Sequence, residues 1–207
     1  MAGDEQAPES KPFFDVVFGQ RACRQFSDQP VDEALVELCL RAATHAPSAE
    51  NLQPWVFVVV REPGRREAIG NLMRRAWREG ARQYSQDRLS PNLLRDVDHG
   101  AEGGIPAAPV VIVVCGDGRI GLESTLPSSV FLATQNLLLA ATALGLGSAM
   151  TTLATLLADE LATLLTLPPA VVPMAVVPVG WPRQPLGPPQ RLPVTERAHR
   201  EHYGQQW

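Results

Sequence analysis

Apolar residues along this chain follow two patterns, one with helical spacing and one of continuous runs. Leu35, Leu38 and Ala42 recur every three or four residues, which predicts an amphipathic helix with Asp32 as its N-cap. The same spacing predicts helices at residues 69–77, 127–145 and 157–165. Continuous apolar runs predict buried strands at residues 55–60, 110–115 and 175–179. The sequence therefore predicts a domain of mixed α and β structure with at least three strands.

Three segments lack either pattern. Residues 78–104 mix charges, Pro91, Asn92 and glycines without clear periodicity, which predicts a mobile, lid-like excursion, because long excursions in compact domains often cover ligands. Residues 182–207 begin with a proline-rich stretch that has little capacity for regular structure, and we expect this C-terminal arm to lie on a partner subunit. Residues 1–12 are expected to be a disordered polar tail, which leaves residues 13–207 as a single domain.

One stretch is apolar enough to raise the question of a membrane span. Residues 124–158 contain no Asp, Glu, Lys or Arg and exceed the length that a membrane requires. However, Gln135 and Asn136 lie inside the stretch, Gly145 and Gly147 interrupt it, and no basic cluster flanks it. These features favour a buried central helix, ended by Gly145 as a C-cap, over a membrane helix.

Composition excludes some classes of protein. A chain of 207 residues with 45% hydrophobic content can form one domain with a sizeable core. The net charge of −4, without a long basic run, gives no electrostatic reason to expect nucleic acid as a partner. Three widely spaced cysteines fit neither a disulfide framework nor a metal site. Together with an N-terminus unlike a signal peptide, they predict a cytoplasmic protein.

A polar loop, residues 46–55, separates the first predicted helix from the first predicted strand. Its two prolines restrict their own φ angles and those of the residues before them, so we expect a stiff loop. Ser48, Asn51 and Gln53 carry groups that both donate and accept hydrogen bonds, as the edge of a planar heterocycle would require. The alternative is an ordinary helix-to-strand connection, because the same residue types are common in turns.

Several motifs occur in a fixed order. They are Arg21-Ala22-Cys23-Arg24-Gln25-Phe26, the polar loop, Gly145-Leu146-Gly147-Ser148 before a short helix, Gly180-Trp181-Pro182, and Arg191. With these motifs the chain resembles the FMN-dependent nitroreductase family over about residues 14–197. The resemblance implies an α+β, nitroreductase-like three-layer fold, with a central, mostly antiparallel sheet flanked by helices. It also implies an interlocked homodimer with exchange of the C-terminal arms and FMN at the interface.

The same resemblance implies which residues contact FMN. Arg21, Ala22 and Arg24 would contact the phosphate and the ribityl chain, and Arg191 would bind the phosphate, as planar guanidinium groups do. Gln20, Ala22 and Cys23 depart from the family's common pattern, in which a further basic residue and a Ser are frequent. From the residues alone, Arg21 and Arg24 fit a solvated helix end equally well.

The resemblance assigns the ring of the flavin to two other segments. The residues bordering the isoalloxazine from the partner subunit would be Pro47, Ser48, Asn51 and Gln53. The segment facing flavin N5 would be Met150, Thr151 and Thr152, where an N–H or hydroxyl of Thr151 or Thr152 can stabilise charge on the reduced ring. Capping of a helix is the alternative role of the two threonines.

The implied function is that of an oxidoreductase. NADH or NADPH would reduce FMN by hydride transfer, and FMNH2 would reduce a small organic acceptor, such as a nitroaromatic or a quinone, in a ping-pong cycle. No catalytic side chain and no metal are assigned, since flavin N5 carries the chemistry. Two alternatives remain open: a flavin-consuming synthase resembling the lower-ligand enzyme of cobalamin synthesis, and a non-enzymatic flavin-binding or storage protein.

Overall fold

Four antiparallel strands form the sheet of the computed structural model, which describes residues 11–207. They are β1 (Trp55–Val60), β2 (Val110–Asp117), β3 (Gly147–Ser148) and β4 (Val171–Gly180), in the spatial order β1-β2-β4-β3. In the register, Val113 of β2 lies opposite Val58 of β1 and Val176 of β4. Every residue of β2 is buried, as expected of a β-branched strand covered on both faces.

Seven α-helices surround the sheet in the described part of the chain. They are α1 (Phe13–Gly19), α2 (Glu33–Thr44), α3 (Pro63–Ala76), α4 (Arg82–Gln86), α5 (Pro91–His99), α6 (Leu126–Ala143) and α7 (Ala158–Leu164). Short 3-10 turns occur at Ala49–Asn51, Ala154–Leu157 and Val194–Glu196, and π-helical turns at Trp77–Ala81 and Gly100–Gly104.

The side chains of β2 alternate between two layers of helices. Val110, Ile112 and Val114 belong to a core cluster with α2 and α6, whereas Val111 and Val113 belong to a second cluster with α3 and α7. This alternation follows from the two-residue period of a strand. The prediction of a three-layer α+β fold around a mostly antiparallel sheet is therefore confirmed.

Helix α6 accounts for the uncharged stretch. By length and composition it is apolar enough to cross a membrane, but 44% of it is buried inside the folded chain. Val130, Ala133 and Leu137 are fully buried in the cluster shared with α2 and the sheet. The helix ends before Gly145, whose φ of 79° is readily adopted by glycine. The predicted buried central helix followed by a turn is therefore confirmed.

Residues 78–104 contain two helices, α4 and α5, which the lack of clear periodicity in the sequence does not predict. The Ser90 hydroxyl accepts a hydrogen bond from the N–H of Leu93 (3.4 Å), and Pro91 occupies the first turn of α5. A proline in this position begins a helix, since the N–H it lacks would have no partner inside the helix. The lid role of this segment stays a prediction.

Other differences concern the ends of elements. Asp32 lies at the N-cap of α2, but its side chain makes no capping hydrogen bond. β4 begins at Val171 rather than at residue 175, and α1 precedes the elements that the pattern predicts. The expected disordered tail at residues 1–12 falls mostly on residues 1–10, which lie outside the described residues.

Candidate cofactor site

A cleft of about 770 Å³ lies where residues 20–24 approach α5, the segment after β3 and the C-terminal arm. This volume lies in the range of clefts that hold small ligands and cofactors. Five of the residues predicted to contact FMN line the cleft, namely Arg21, Ala22, Arg24, Met150 and Arg191. The chain therefore brings together residues that are up to 170 positions apart in sequence.

Residues 21–26 reach the cleft because they extend the sheet beyond β3. Ala22 forms a parallel bridge with Ser148, and the N–H of Cys23 donates to the Ser148 carbonyl (2.9 Å). Gly147 permits this approach, because a Cβ at that position would lie 2.6 Å from the Cys23 Sγ. The arginine motif is therefore packed directly against the glycine motif.

Three guanidinium groups line the cleft, and each is held differently. Arg21 donates from Nη1 to the carbonyl of Gly187 in the arm (3.1 Å), and Arg191 donates to the carbonyl of Gln190 (2.9 Å). Arg24 forms an ion pair with Asp96 of α5. Both Arg21 and Arg191 are exposed and keep donors for a ligand. Such a set can grip the oxygens of a phosphate.

The polar loop does not line this cleft. Pro47, Ser48, Asn51 and Gln53 lie between α2 and β1, and the loop is closed by a hydrogen bond from the Gln53 N–H to the Ser48 hydroxyl (3.0 Å). The loop is also anchored to α6, because the N–H of Ala49 donates to the Ser129 hydroxyl (3.2 Å). Within one chain, the two halves of the predicted FMN site are therefore separate.

The backbone of the polar loop is strained. Glu50, Asn51 and Gln53 have φ angles of 54°, 56° and 53°, in the left-handed region that costs residues with a Cβ about 1 kcal/mol or more each. Strain of this kind clusters at ligand-binding loops. The side chains of the three residues are exposed, so the loop presents them outward rather than using them in its own core.

Only some of the polar groups in the segment predicted to face flavin N5 can contact a ligand. Met150 lines the main cleft, and with Thr151 it also lines an adjoining pocket of about 200 Å³. The N–H of Thr151 donates to the Val176 carbonyl (3.0 Å), so this N–H is not free for a ligand. Its hydroxyl accepts a hydrogen bond from Leu153 (3.3 Å) and can still donate. Thr152 lines neither cavity.

Several residues of the cleft were not predicted from the sequence. They are Gln20, Ser90, Asn92, Leu93, Asp96, Ala149, Pro188, Pro189 and Gln190. Four of them, Ser90, Asn92, Leu93 and Asp96, are the N-cap of α5 or lie within α5, in the segment whose sequence predicts a mobile excursion. The Ser-Pro pair that starts this helix was the available signal.

The cysteine thiols have no feature of a nucleophile. Burial raises the pKa of Cys39 and of Cys115 to about 12, and burial is also the main cause of the raised pKa of Cys23. Because the thiolate is the reactive form, these thiols are inert near neutral pH. Among residues 11–207, no group of three or more His, Cys, Asp or Glu side chains could hold a metal ion.

The comparisons with known proteins agree with the motifs. The model of the family described as "Nitroreductase family" matches residues 17–181, so the chain belongs to the nitroreductase family. It is 31% identical over 177 residues to a "Putative NADH dehydrogenase/NAD(P)H nitroreductase" of Archaeoglobus fulgidus, with 81% of this chain and 84% of that protein covered.

Two further comparisons concern function and fold. The chain is 29% identical to the 5,6-dimethylbenzimidazole synthase of Rhodospirillum rubrum, with 94% of each chain covered. The crystal structure of nitroreductase A from Vibrio parahaemolyticus superposes with a TM-score of 0.73 at 22% identity, covering 93% of this chain and 76% of that one. This superposition confirms the predicted nitroreductase fold.

Proposed function

We propose that the protein is an FMN-dependent oxidoreductase that takes electrons from NADH or NADPH and passes them to a small organic acceptor. The observation that carries the proposal is the convergence of Arg21, Arg24 and Arg191 on one cleft. Membership of the nitroreductase family supports an oxidoreductase that uses a nicotinamide. The identity of the cofactor rests on the fit of the cleft.

The donor set of the cleft suits a phosphorylated flavin. Three guanidinium groups would hold the phosphate, and Asn92 and Gln190 line the same cleft with amide groups suited to a ribityl chain. Bound FMN would supply the redox chemistry, accepting a hydride from NAD(P)H and delivering electrons to the acceptor in a ping-pong cycle. The protein residues would bind and orient, and no side chain is assigned as acid, base or nucleophile.

The separate polar loop supports a homodimer. If Pro47, Ser48, Asn51 and Gln53 border the flavin ring, they must do so in the cleft of a second copy, because they do not line the cleft of their own chain. Phe13, Phe14 and Phe18 of α1 are 68%, 65% and 67% exposed, and such apolar patches are typical of subunit interfaces. Exchange of the C-terminal arms is part of this proposal. A stable, FMN-loaded monomer in sedimentation would contradict it.

The similarity to the 5,6-dimethylbenzimidazole synthase over 94% of both chains supports a second candidate function. In that case the reduced flavin, FMNH2, would be a substrate consumed with O2, rather than a retained cofactor. A storage protein would bind FMN, but neither NADH nor NADPH would reduce the bound FMN. These two alternatives differ from the proposed function in how the visible spectrum of the flavin changes.

The decisive experiment is a visible spectrum of the protein after addition of FMN and desalting, followed by anaerobic NADH and then NADPH. The proposed oxidoreductase retains FMN, and the visible absorbance of the bound flavin bleaches with at least one nicotinamide. Retained FMN that neither nicotinamide bleaches indicates storage, and irreversible loss of the flavin during aerobic turnover indicates the synthase. A protein that retains no FMN contradicts the assignment of the cleft.

The matched control for the cleft is an arginine of the arm that does not line it. Arg183 lies in the same arm as Arg191 but lines a different pocket, beside Phe26. The Arg183→Ala variant should retain FMN like the unaltered protein, whereas Arg191→Ala should retain less. Equal losses in the two variants would indicate a general charge effect rather than a phosphate site.

A further inference from the structure

The guanidinium of Arg24 is already engaged in the cleft. Its Nη1 donates to Oδ2 of Asp96 on α5, and the two side chains are only 18% and 34% exposed. Asp96 itself lines the cleft. A carboxylate beside three arginines reduces the positive charge available to an anionic ligand. The position of Asp96 needs an explanation, because a carboxylate lowers the affinity of a site for anions unless it has another role there.

Helix α5 holds Arg24 at a second point. Gly100 follows Asp96 by four residues, so the two lie on the same face of the helix. A Cβ at Gly100 would lie 2.7 Å from the Cδ of Arg24 and 3.2 Å from its Cγ. The backbone of Gly100 therefore abuts the aliphatic stem of Arg24 while Asp96 holds its charged end. The φ of Gly100 is −59°, which alanine adopts readily, so only the contact with Arg24 requires glycine here.

We propose that Asp96 is a positioning residue for the cofactor cleft: it orients the Arg24 guanidinium and cancels its charge until an anionic flavin binds. This inference rests on the proposed function. It makes α5, in the segment predicted to be a lid, one wall of the cofactor site. It also predicts that Asp96 becomes harmful to FMN binding once Arg24 is removed, because an unpaired carboxylate then faces an anionic ligand.

The test is a double-mutant cycle in FMN affinity, measured by quenching of flavin fluorescence at low salt. Arg24→Ala should weaken FMN binding, and Asp96→Asn in the Arg24→Ala background should restore it by about three- to tenfold. The rescue should shrink in about 1 M salt, where screening shortens the range of charge interactions to about 3 Å. A residue with a merely structural role would give no rescue and no dependence on salt.

The matched control is Asp98→Asn on the same helix. Asp98 pairs with Arg82 and accepts a hydrogen bond from Trp77, and it does not line the cleft. This substitution in the Arg24→Ala background should restore nothing. FMN binding by the Arg24→Ala, Asp96→Asn variant that is equal to or weaker than that of Arg24→Ala alone would overturn the inference, as would equal rescue by Asp98→Asn.

A second variant tests the contact without any ligand. Gly100→Ala should lower the urea midpoint of the otherwise unaltered protein, because the new Cβ would lie 2.7 Å from the Cδ of Arg24. In the Arg24→Ala background it should lower the midpoint much less, because only the contact with the Cβ at position 24 (3.3 Å) remains. An equal loss in both backgrounds would overturn the role of Gly100. If the unaltered protein fails to bind FMN, the proposed function falls and this inference falls with it; FMN binding without rescue removes the inference alone.

Discussion

The cationic cleft and the polar loop differ in how they are built for the same proposed ligand. The cleft is assembled from four distant segments and depends on charge, with three guanidinium groups and one carboxylate. The loop is a single segment in a strained backbone, with three φ angles near 55°, and its residues predicted to border the flavin ring, Ser48, Asn51 and Gln53 among them, are neutral. The cleft is therefore suited to an anionic group and the loop to a planar ring with hydrogen-bonding edges.

The cleft would bind its ligand through long side chains from several elements, whereas the loop depends on the conformation of its backbone. Arginine side chains can reach a phosphate from several elements, so the cleft tolerates contributions that are distant in sequence. The loop must present its amide and hydroxyl groups in one fixed arrangement, which its hydrogen bonds to Ser48 and Ser129 maintain. We therefore expect substitutions in the cleft to act on affinity, and substitutions in the loop to act on stability as well.

The largest effect is expected from removal of two charges in the cleft. Arg21→Ala combined with Arg24→Ala should weaken FMN binding by about 100-fold or more, since hydrogen bonds to charged groups contribute about 1.5–3 kcal/mol each. Titration of FMN fluorescence measures the loss, and riboflavin, which lacks the phosphate, should lose much less. A double variant that keeps full FMN occupancy through desalting would show that the cleft is not the phosphate site.

The next prediction asks whether the cleft and the loop meet across two subunits. A chain with the double arginine substitution and a chain with Pro47→Trp should each bind little FMN. A heterodimer of the two, isolated with two affinity tags, contains one intact cleft facing one intact loop if the dimer is symmetric. It should therefore hold about half of the FMN of the unaltered dimer. A heterodimer without FMN would contradict a site shared between subunits.

A smaller effect is expected from relief of strain in the loop. Glu50 is exposed and has a φ of 54°, so Glu50→Gly should raise the free energy of unfolding by about 0.5–1 kcal/mol in urea denaturation. The control is Glu37→Gly in the interior of α2, which should cost about 1 kcal/mol. If both substitutions destabilise the protein equally, backbone strain does not distinguish the loop.

The smallest effect concerns the end of the loop and its dependence on pH. The N–H of Asp117 donates to the Pro54 carbonyl (2.7 Å), and hydrogen bonds from Arg119 lower the pKa of the Asp117 carboxyl from 3.8 to about 2. A lowered folded-state pKa stabilises the protein above the unfolded value, and the contribution is lost as pH falls from about 3.8 to about 2. Asp117→Asn should reduce the loss of stability across this window.

The matched control for this pH effect is Asp28→Asn, at an exposed position. The urea midpoint of each variant is measured between pH 5 and pH 2. The expected difference is small, because the Arg119 side chain is 63% exposed and solvent screens the pair. The same pH dependence in both variants would contradict a particular role for Asp117.

The local pattern of apolar residues was sufficient to predict those helices and strands whose own residues indicate that they are buried. The strand at Trp55–Val60 and the helix before Gly145 were predicted, because a continuous apolar run or a glycine C-cap is a signal contained in the segment. The start of α5 is not predicted, because Pro91, Asn92 and the glycines of this segment indicate a mobile excursion. Proline begins helices as well as breaking them, and only its position relative to Ser90 distinguishes the two.

The residues of the candidate site could be predicted from the sequence where they belong to the family's motifs. Arg21, Arg24 and Arg191 were assigned from the ordered motifs of the family, and they lie in one cleft. Asp96 was not assigned, since nothing in its neighbourhood in sequence relates it to Arg24, which is 72 residues away. The hydrogen bond from the Thr151 N–H to the Val176 carbonyl was not predicted either, because it depends on how the chain returns to the edge of β4.

The amino-acid sequence by itself determined the family through its ordered motifs, and the resemblance to that family supplied the α+β fold and the arginines proposed to hold a phosphate, because motifs lie within short segments. Only the tertiary structure decided that Arg24 is paired with Asp96, that the polar loop lies outside its own chain's cleft, and that three of the loop's φ angles are positive. Pairings between distant side chains and the strain of a loop are consequences of packing, and packing brings together residues that no local pattern connects.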